Sequence, residues 1–331
     1  VINPPTSPTL PARIGWAAHL LLRIGLAGYL FVYGWAKVFL AQMGRADFGD
    51  ALVAYGEMSP MGLLWRMIGY SVPFQFLSGV AEVLAAGLLL WRRTAGAGAA
   101  IAAFDMYFVF LLNLSYDVPV KQLSLALAIG ATIAAIPYAT RFLRSLFTSG
   151  PLPHGPLPTI ITGRAGKIIN VAGAVLAVLA VITSGVLFRL TFPAPQEGQA
   201  LAGVYRVVDD TAKPAAQLAD DQRWQQVAFG QWVVHGKSRW SIRQANGDLR
   251  TGSFSEAGPN LIMAELKAAQ RGPVRTTEPV TTRLELRWER LADGRLRLTG
   301  GGQDLTLASD PEFRFLFDRD FSWDARPPVN R

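Results

Sequence analysis

YSVPFQFLSGVAEVLAAGLLLWRR, residues 70–93, decides the fold. From Tyr70 to Trp91 the run is almost wholly apolar, with a single ionisable carboxyl, Glu82, and it ends on Arg92-Arg93. A helix rises ~1.5 Å per residue, so such a run crosses the ~30 Å hydrocarbon core of a bilayer. Four other stretches have comparable character: residues 14–42, 94–114, 122 to about 136, and 168–190. Pro137 stands one turn before the cationic end of the fourth. The first is too long for a cleaved signal peptide and has no clear small-residue cleavage site, so it is expected to be retained.

The rest of the chain agrees with a membrane protein. Of 331 residues, 50% are hydrophobic and 17% charged, against about 25% charged in ordinary globular domains. Mean hydropathy is +0.24. These values exclude a disordered chain and argue against a wholly soluble enzyme. There is no cysteine, hence no disulfide, thiolate nucleophile, Fe–S cluster or Cys-ligated zinc. His19, His154 and His235 lie far apart in sequence and offer little for a metal centre, so no metal is expected. The net charge of +8 is uneven: residues 1–194 carry +7 and residues 195–331 carry +1. The basic excess therefore reports membrane loops, and no nucleic-acid partner is expected.

Lys and Arg favour cytoplasmic loops. Arg13, the Arg92-Arg93 pair, and Arg141, Arg144, Arg164 and Lys167 alternate with segments whose bases are offset by Asp47, Asp50, Glu57 and Asp117. The alternation places the N-terminus inside and everything after Arg189 outside. The expected organisation is a four-span domain over residues 1–147, a Pro-rich cytoplasmic linker over 148–166, a fifth, tethering span over 167–194, and an extracytoplasmic β-domain over 195–331. In the first external loop, residues 46–55 and 61–68 carry apolar residues at helical spacing. They read as short helices on the outer interface, the second starting at Ser59-Pro60.

Beyond residue 203 the pattern changes period. Arg283-Leu284-Glu285-Leu286-Arg287-Trp288-Glu289 alternates strictly, as a half-buried strand does. Asp293-Gly294 and Asn246-Gly247 read as type I′ hairpin turns. Further strands are expected at residues 203–208, 226–234, 240–243, 249–254, 260–266, 295–298, 303–308 and 314–317. The fold class is thus an α-helical membrane bundle of four spans plus one, followed by an all-β small barrel or lipocalin-like domain. Closure is favoured because it removes strand edges.

Ionisable groups within a bilayer are candidate functional groups by default. From the rise per residue, Arg23, Glu82 and Asp105 fall at similar depth and form a candidate network, read either as ion-pair glue or as a polar pocket for a quinone head or a proton path. Glu82 and Asp105 are the candidate catalytic, proton-handling carboxyls. Arg23 and Lys37 are the candidate ligand-orienting cations, Lys37 being placed near the outer surface within reach of Asp117 or the acids of the first loop. Ala95, Gly96, Gly98, Ala99 and Ala102 read as a close-packing face. The β-domain shows no catalytic set, and an apolar ligand inside the barrel stays open beside a self-filled one.

Tyr33-Gly34-Trp35-Ala36-Lys37-Val38-Phe39 resembles the Gly-x-x-Lys-hydrophobic-Phe signature of the DoxX family. The stretch from Ser78 to Trp91 is similar to that family's Gly-x-x-Glu-x-x-x-x-Gly-Leu-Leu-Leu segment. The resemblance covers residues 14–147, about 40% of the chain, and the ending Phe321-Ser322-Trp323…Arg326-Pro327-Pro328-Val329-Asn330-Arg331 is similar to that of longer relatives with an appended β-domain. It implies a multi-pass protein of the bacterial inner membrane, linked to quinone or redox-stress chemistry, with Lys37 and Glu82 at family positions. The added span and β-domain depart from the minimal pattern and weigh against thiosulfate oxidation. The expected function is support of quinone-linked redox chemistry, with quinone as cofactor and a redox or assembly protein as partner. The competing expectation is a non-enzymatic scaffold whose β-domain docks a partner or an apolar ligand.

Overall fold

The computed structural model describes residues 9–147, 163–198, 200–269, 280–319 and 322–329. The Pro-rich segment around Pro151–Pro158, His154 and Phe321 lie outside them. The described chain forms two compact units, a helical one and a β one.

The helical unit holds α1 (Leu10–Val38), α2 (Pro60–Tyr70), α3 (Val72–Leu90), α4 (Ala95–Ser115), α5 (Lys121–Ala135), α6 (Ala139–Phe147) and α7 (Gly163–Thr191). Among the described residues five helical segments are long and apolar enough to cross a membrane: α1, α3, α4, α5 continuing through a 3-10 turn into α6, and α7. The segments agree with the runs read from sequence. Their outward faces carry large apolar side chains such as Phe104, Leu111 and Leu176, as lipid contact requires. The small-residue face of α4 is buried: Ala95, Gly98, Ala99 and Ala102 pack inward. A Cβ on Gly98 would fall 2.6 Å from the Leu89 nitrogen, so only glycine permits this approach of α3 and α4.

The last span is more than a tether. Trp35 Nε1 donates to Ser184 Oγ at 2.9 Å, Trp91 Nε1 donates to the Asn170 carbonyl at 3.2 Å, and Gly185 sits against the Trp35 ring. These contacts seat α7 on α1 and α3.

The β unit is a closed eight-stranded antiparallel barrel. Its strands are β2 (Gly203–Asp210), β3 (Trp224–Val234), β4 (Lys237–Gln244), β5 (Leu249–Gly258), β6 (Leu261–Lys267), β7 (Thr281–Arg290), β8 (Leu296–Gly300) and β9 (Gln303–Ser309). Each pairs with the next, and β9 closes onto β2, as between Tyr205 and Ser309. A two-residue strand, β1 (Gln196–Glu197), adds to β3 outside the closed ring. Eight strands enclose a space that side chains can fill. Here Phe229, Trp240, Ile242, Leu286, Leu298 and Leu305 fill it, the self-filled one of the two alternatives left open by the sequence.

Two details differ from the sequence reading. Residues 314–317 are not a strand: Pro311–Arg314 is a 3-10 turn leading into the one-turn helix α8 (Phe315–Asp318). At Asn246-Gly247 and Asp293-Gly294 only the glycines have positive φ, so these are not type I′ turns, which need positive φ at both central positions. That geometry belongs to His235-Gly236, φ 51° and 76°, linking β3 to β4.

The largest departure concerns the first loop. Residues Arg45–Met58 belong to the β unit, not to the bundle. They form two 3-10 turns, Phe48–Asp50 and Tyr55–Glu57, so the helix expected over residues 46–55 is absent. The apolar residues that suggested it, Phe48 and Leu52, are buried with Val204 and Ala228 of the barrel. Polar contacts fix the seat. Phe48 N donates to Gln231 Oε1 at 2.8 Å, Trp232 Nε1 to the Ala46 carbonyl at 2.9 Å, and Arg239 pairs with Asp50 at 2.8 Å. Arg243 grips both oxygens of Glu57, at 2.7 and 2.8 Å, and donates to the Leu52 carbonyl. This bidentate grip holds the Glu57 carboxyl below the usual carboxylate range. The second expected loop helix is present as α2, with Ser59 Oγ capping its start by accepting from Gly62 N at 3.0 Å.

Asp47 is the buried acid of this seat. Its Oδ1 accepts from Gly49 N at 3.0 Å and Gln231 N at 3.2 Å, but burial outweighs these donors and pushes its pKa up to about 6. A folded-state pKa above the unfolded one gives stability that is full below the unfolded pKa and is lost as pH rises through the folded one. The Asp47 contribution therefore falls as pH rises from the ordinary aspartate value of 3.8 to about 6. Glu57 acts in the opposite sense, below the ordinary glutamate value of 4.5. Between pH 4.5 and 6 thermal unfolding of the barrel, followed by tryptophan fluorescence, is expected to fall with rising pH, and Asp47→Asn to flatten that slope. Arg243→Ala is expected to cost the β unit about 1–3 kcal/mol, the range for a hydrogen-bonded charged group, while leaving the helix content unchanged by circular dichroism.

Candidate functional site

The charged residue in the last turn of α1 meets the one midway along α3. Lys37 Nζ lies 2.6 Å from Glu82 Oε1 and 2.7 Å from Oε2. Lys37 is 5% exposed and Glu82 0%, so each needs the other, because an unpaired charge in this surrounding is far costlier than the pair. Both follow a glycine by one turn, as Gly34-x-x-Lys37 and Gly79-x-x-Glu82. A Cβ on Gly34 would come within 2.8 Å of Val83 Cγ2 and 3.0 Å of Glu82 Cβ. One on Gly79 would fall 2.6 Å from the Gly34 carbonyl and 2.8 Å from Lys37 Cβ. Each glycine clears the space taken by the other helix's charged side chain, so the two motifs are halves of one contact.

The expected Arg23–Glu82–Asp105 network is not formed. Arg23 Nε donates to the Leu89 carbonyl at 2.7 Å and Nη2 to the Leu90 carbonyl at 3.2 Å. Those carbonyls end α3 and lack helical partners, and the cation also complements the negative end of the helix dipole. They lie seven and eight residues past Glu82, about 11 Å along the axis. Arg23 therefore caps α3 rather than joining the carboxylates. Lys37 is likewise not at the surface with Asp117, whose carboxylate pairs with Lys121 at 2.5 Å. Asp105 does not line the cavity beside the pair, though it feels the charges of Glu82 and Lys37, and among the described residues its buried Oδ2 has no hydrogen-bond partner. His19 sits apart, its Nε2 3.0 Å from the Ala134 carbonyl.

A cavity of about 70 Å³ adjoins the ion pair, bounded by α1 to α5. Its walls are largely aromatic and aliphatic, including Tyr29, Tyr33, Trp65 and Phe108, and its polar members besides Lys37 and Glu82 include Gln42, Ser78, Asn113 and Ser124. Helix α2 contributes Leu64, Trp65 and Ile68, and the Trp65 indole donates to the Gln42 carbonyl at 3.2 Å. Gln75, fully buried, ties down the end of α1 by accepting from Met43 N at 3.1 Å and donating to the Gly44 carbonyl at 2.9 Å. Lys37 Nζ also lies 5.9 Å from the centre of the Tyr33 ring. Gln42, Gln75, Asn113 and Ser124 were not singled out from sequence. Their signal was an isolated neutral polar side chain near the end of an apolar run.

Among the described residues no group of three His, Asp or Glu is arranged to hold a metal ion. The site combines one ammonium, one carboxylate that positions it, a nearby second carboxyl and an apolar cavity. Such a combination can bind a small polar head carried on an apolar tail.

Replacing one partner of the pair is expected to be strongly destabilising, since Glu82→Leu leaves a buried ammonium alone, at a cost of about 3–5 kcal/mol. The double variant Lys37→Met/Glu82→Leu is expected to recover most of that loss in a detergent-based thermal unfolding assay, because an apolar pair of similar volume fills the same space.

No protein-family model matches the chain, and no solved structure matches it. A curated protein of Bacillus subtilis (strain 168), "Uncharacterized protein YwoB", is 36% identical over 107 residues, which are 32% of this chain and 68% of that protein.

Proposed function

The chain belongs to the same family as YwoB; from the buried ion pair and the cavity beside it we propose that its helical unit binds the polar head of a membrane-dissolved quinone and serves quinone-linked redox chemistry, as a DoxX-like protein. The observation that carries this reading is the third proton of Lys37. An ammonium has three donors; two meet the oxygens of Glu82, and the residue lines the cavity. A quinone oxygen is an acceptor with no proton of its own, and its ring is flat and apolar, which suits the aromatic walls. Lys37 donates to that oxygen, Glu82 holds Nζ in place, and Asp105, with its unpartnered Oδ2, is the carboxyl available for proton exchange. The bound quinone supplies the electron-carrying chemistry, and electrons reach it through a partner protein. Arg23 has no part in binding in this reading, because its guanidinium is committed to α3.

The Lys/Arg distribution supports an orientation with the N-terminus in the cytoplasm and the barrel outside, in a bacterial inner membrane. The second reading, a non-enzymatic scaffold, draws on two observations. Both Glu82 oxygens are satisfied by Lys37, as interhelical glue requires, and the barrel's filled interior leaves its outer surface as the part that meets a partner.

Ligand response separates the two. Full-length protein in nanodiscs is expected to gain several degrees of thermal stability on adding short-chain ubiquinone, and the folded Lys37→Met/Glu82→Leu variant to gain none. Equal responses in the two proteins, or none in either, leave the scaffold reading standing.

A further inference from the structure

Where α3 turns into α4, a buried cation has no counter-charge. Arg23 is 3% exposed, and its Nε and Nη2 donate to the Leu89 and Leu90 carbonyls. Those acceptors carry no formal charge, and they use two of a guanidinium's five N–H donors. Among the described residues no carboxylate pairs with Arg23, and the charged side chain that it feels, Arg92, has the same sign. The sequence offers no acid nearby: residues 1–46, 83–104 and 118–196, which include every described segment at this end of the bundle, contain no Asp or Glu. A buried charge without an opposite one is a costly arrangement.

Tyr138 stands beside it. The residue ends the 3-10 turn after α5 and packs on Gly96 in the first turn of α4, where a Cβ would come within 2.8 Å of the Tyr138 ring. The Tyr138 hydroxyl feels the charges of Arg23 and Arg92, and among the described residues it is buried without a hydrogen-bond partner. The His19 ring lies 6.1 Å from that of Tyr138. His19 Nε2 donates to the Ala134 carbonyl, and its Nδ1 is likewise buried without a partner. A water would satisfy the hydroxyl but not the charge; an oxyanion satisfies both. Guanidinium suits phosphate oxygens in particular. The surroundings suit a lipid. Leu20, Leu21 and Ile24, next to Arg23 on α1, are exposed apolar side chains, as are Phe142, Leu143 and Leu146 of α6, which follows Tyr138 directly. Acyl chains thus have apolar surface to lie on beside a cationic site.

We propose that Arg23 and the Tyr138 hydroxyl, with Arg92 adding charge, bind the phosphate of an anionic phospholipid in the leaflet at this end of the bundle. The site lies at the opposite end of α3 from the Lys37–Glu82 cavity and stands apart from the quinone reading.

The test titrates detergent-solubilised full-length protein with dioleoylphosphatidylglycerol or dioleoylphosphatidylcholine and counts bound lipid by native mass spectrometry. Both lipids carry a phosphodiester, and only the first is a net anion. The expected result is one phosphatidylglycerol bound about tenfold tighter than phosphatidylcholine. Arg23→Gln, and separately Tyr138→Phe, is expected to lower that ratio several-fold, while Arg164→Gln/Lys167→Gln, which removes two charges at the start of α7, leaves it near wild type. Tyr138→Phe removes no charge, so its effect cannot come from diffuse attraction. Equal binding of the two lipids overturns the proposal. So does a ratio that survives Tyr138→Phe and falls only with the α7 charges, which marks a diffusely basic end with no built site. Displacement of the lipid by millimolar inorganic phosphate overturns the lipid assignment in favour of a soluble anion. Should Arg23→Gln fail to fold, Tyr138→Phe and the α7 double variant still decide.

Discussion

A lysine and a glutamate share a dry interface, and two glycines let them. The Lys37–Glu82 contact depends on backbone approach: Gly34 and Gly79 each remove the one carbon that would hold α1 and α3 apart. Small residues commonly play this part in membrane helix pairs. Here they also position charge. The ammonium cannot leave without exposing the carboxylate to an apolar surround, and the reverse holds equally. That mutual constraint fixes α1 against α3, and α2, α4 and α5 complete a cavity on one side of the pair. Arg23 serves the same architecture from the other end of α3, closing carbonyls that would otherwise lack partners.

The cavity takes its character from what surrounds the charges. Aromatic rings exclude water on most sides, so every remaining polar atom matters more than it would at a surface. Gln75 and the Trp65 indole hold the chain at the end of α1, which keeps Gln42 and Met43 in the cavity wall. Neutral amides thus do work that a search limited to ionisable residues overlooks.

The spans were legible in the sequence because hydrocarbon thickness sets a length that apolar runs must meet. Seven of the strands lie in segments marked out in advance, since a half-buried strand must alternate and its ends carry turn residues; β8 was seen one residue early. The partnerships were harder. Rise per residue gives a side chain's depth but not the direction it faces, so Arg23, Glu82 and Asp105 looked level while Arg23 turns to the end of α3. Lys37 stood out through the resemblance of residues 33–39 to a known signature and was misread as a surface residue, because its place in the last turn of α1 says nothing of what packs over it. Phe48 and Leu52 have helical spacing, yet that spacing serves burial against Val204 and Ala228. Residues 314–317 alternate too briefly to specify a strand, and Pro311, which opens the preceding 3-10 turn, dictates the local geometry instead.

The clasp between the first loop and the barrel joins partners 184 positions apart, as Asp47 and Gln231 are. At a translation rate of ~5–20 residues per second, the loop leaves the ribosome roughly 10–40 s before its seat exists. During that interval Phe48 and Trp232's acceptor, the Ala46 carbonyl, must wait uncovered while the spans on either side are already threading into lipid. Completion of the α1–α2 connection is therefore tied to the emergence of β2 to β4, which carry its partners.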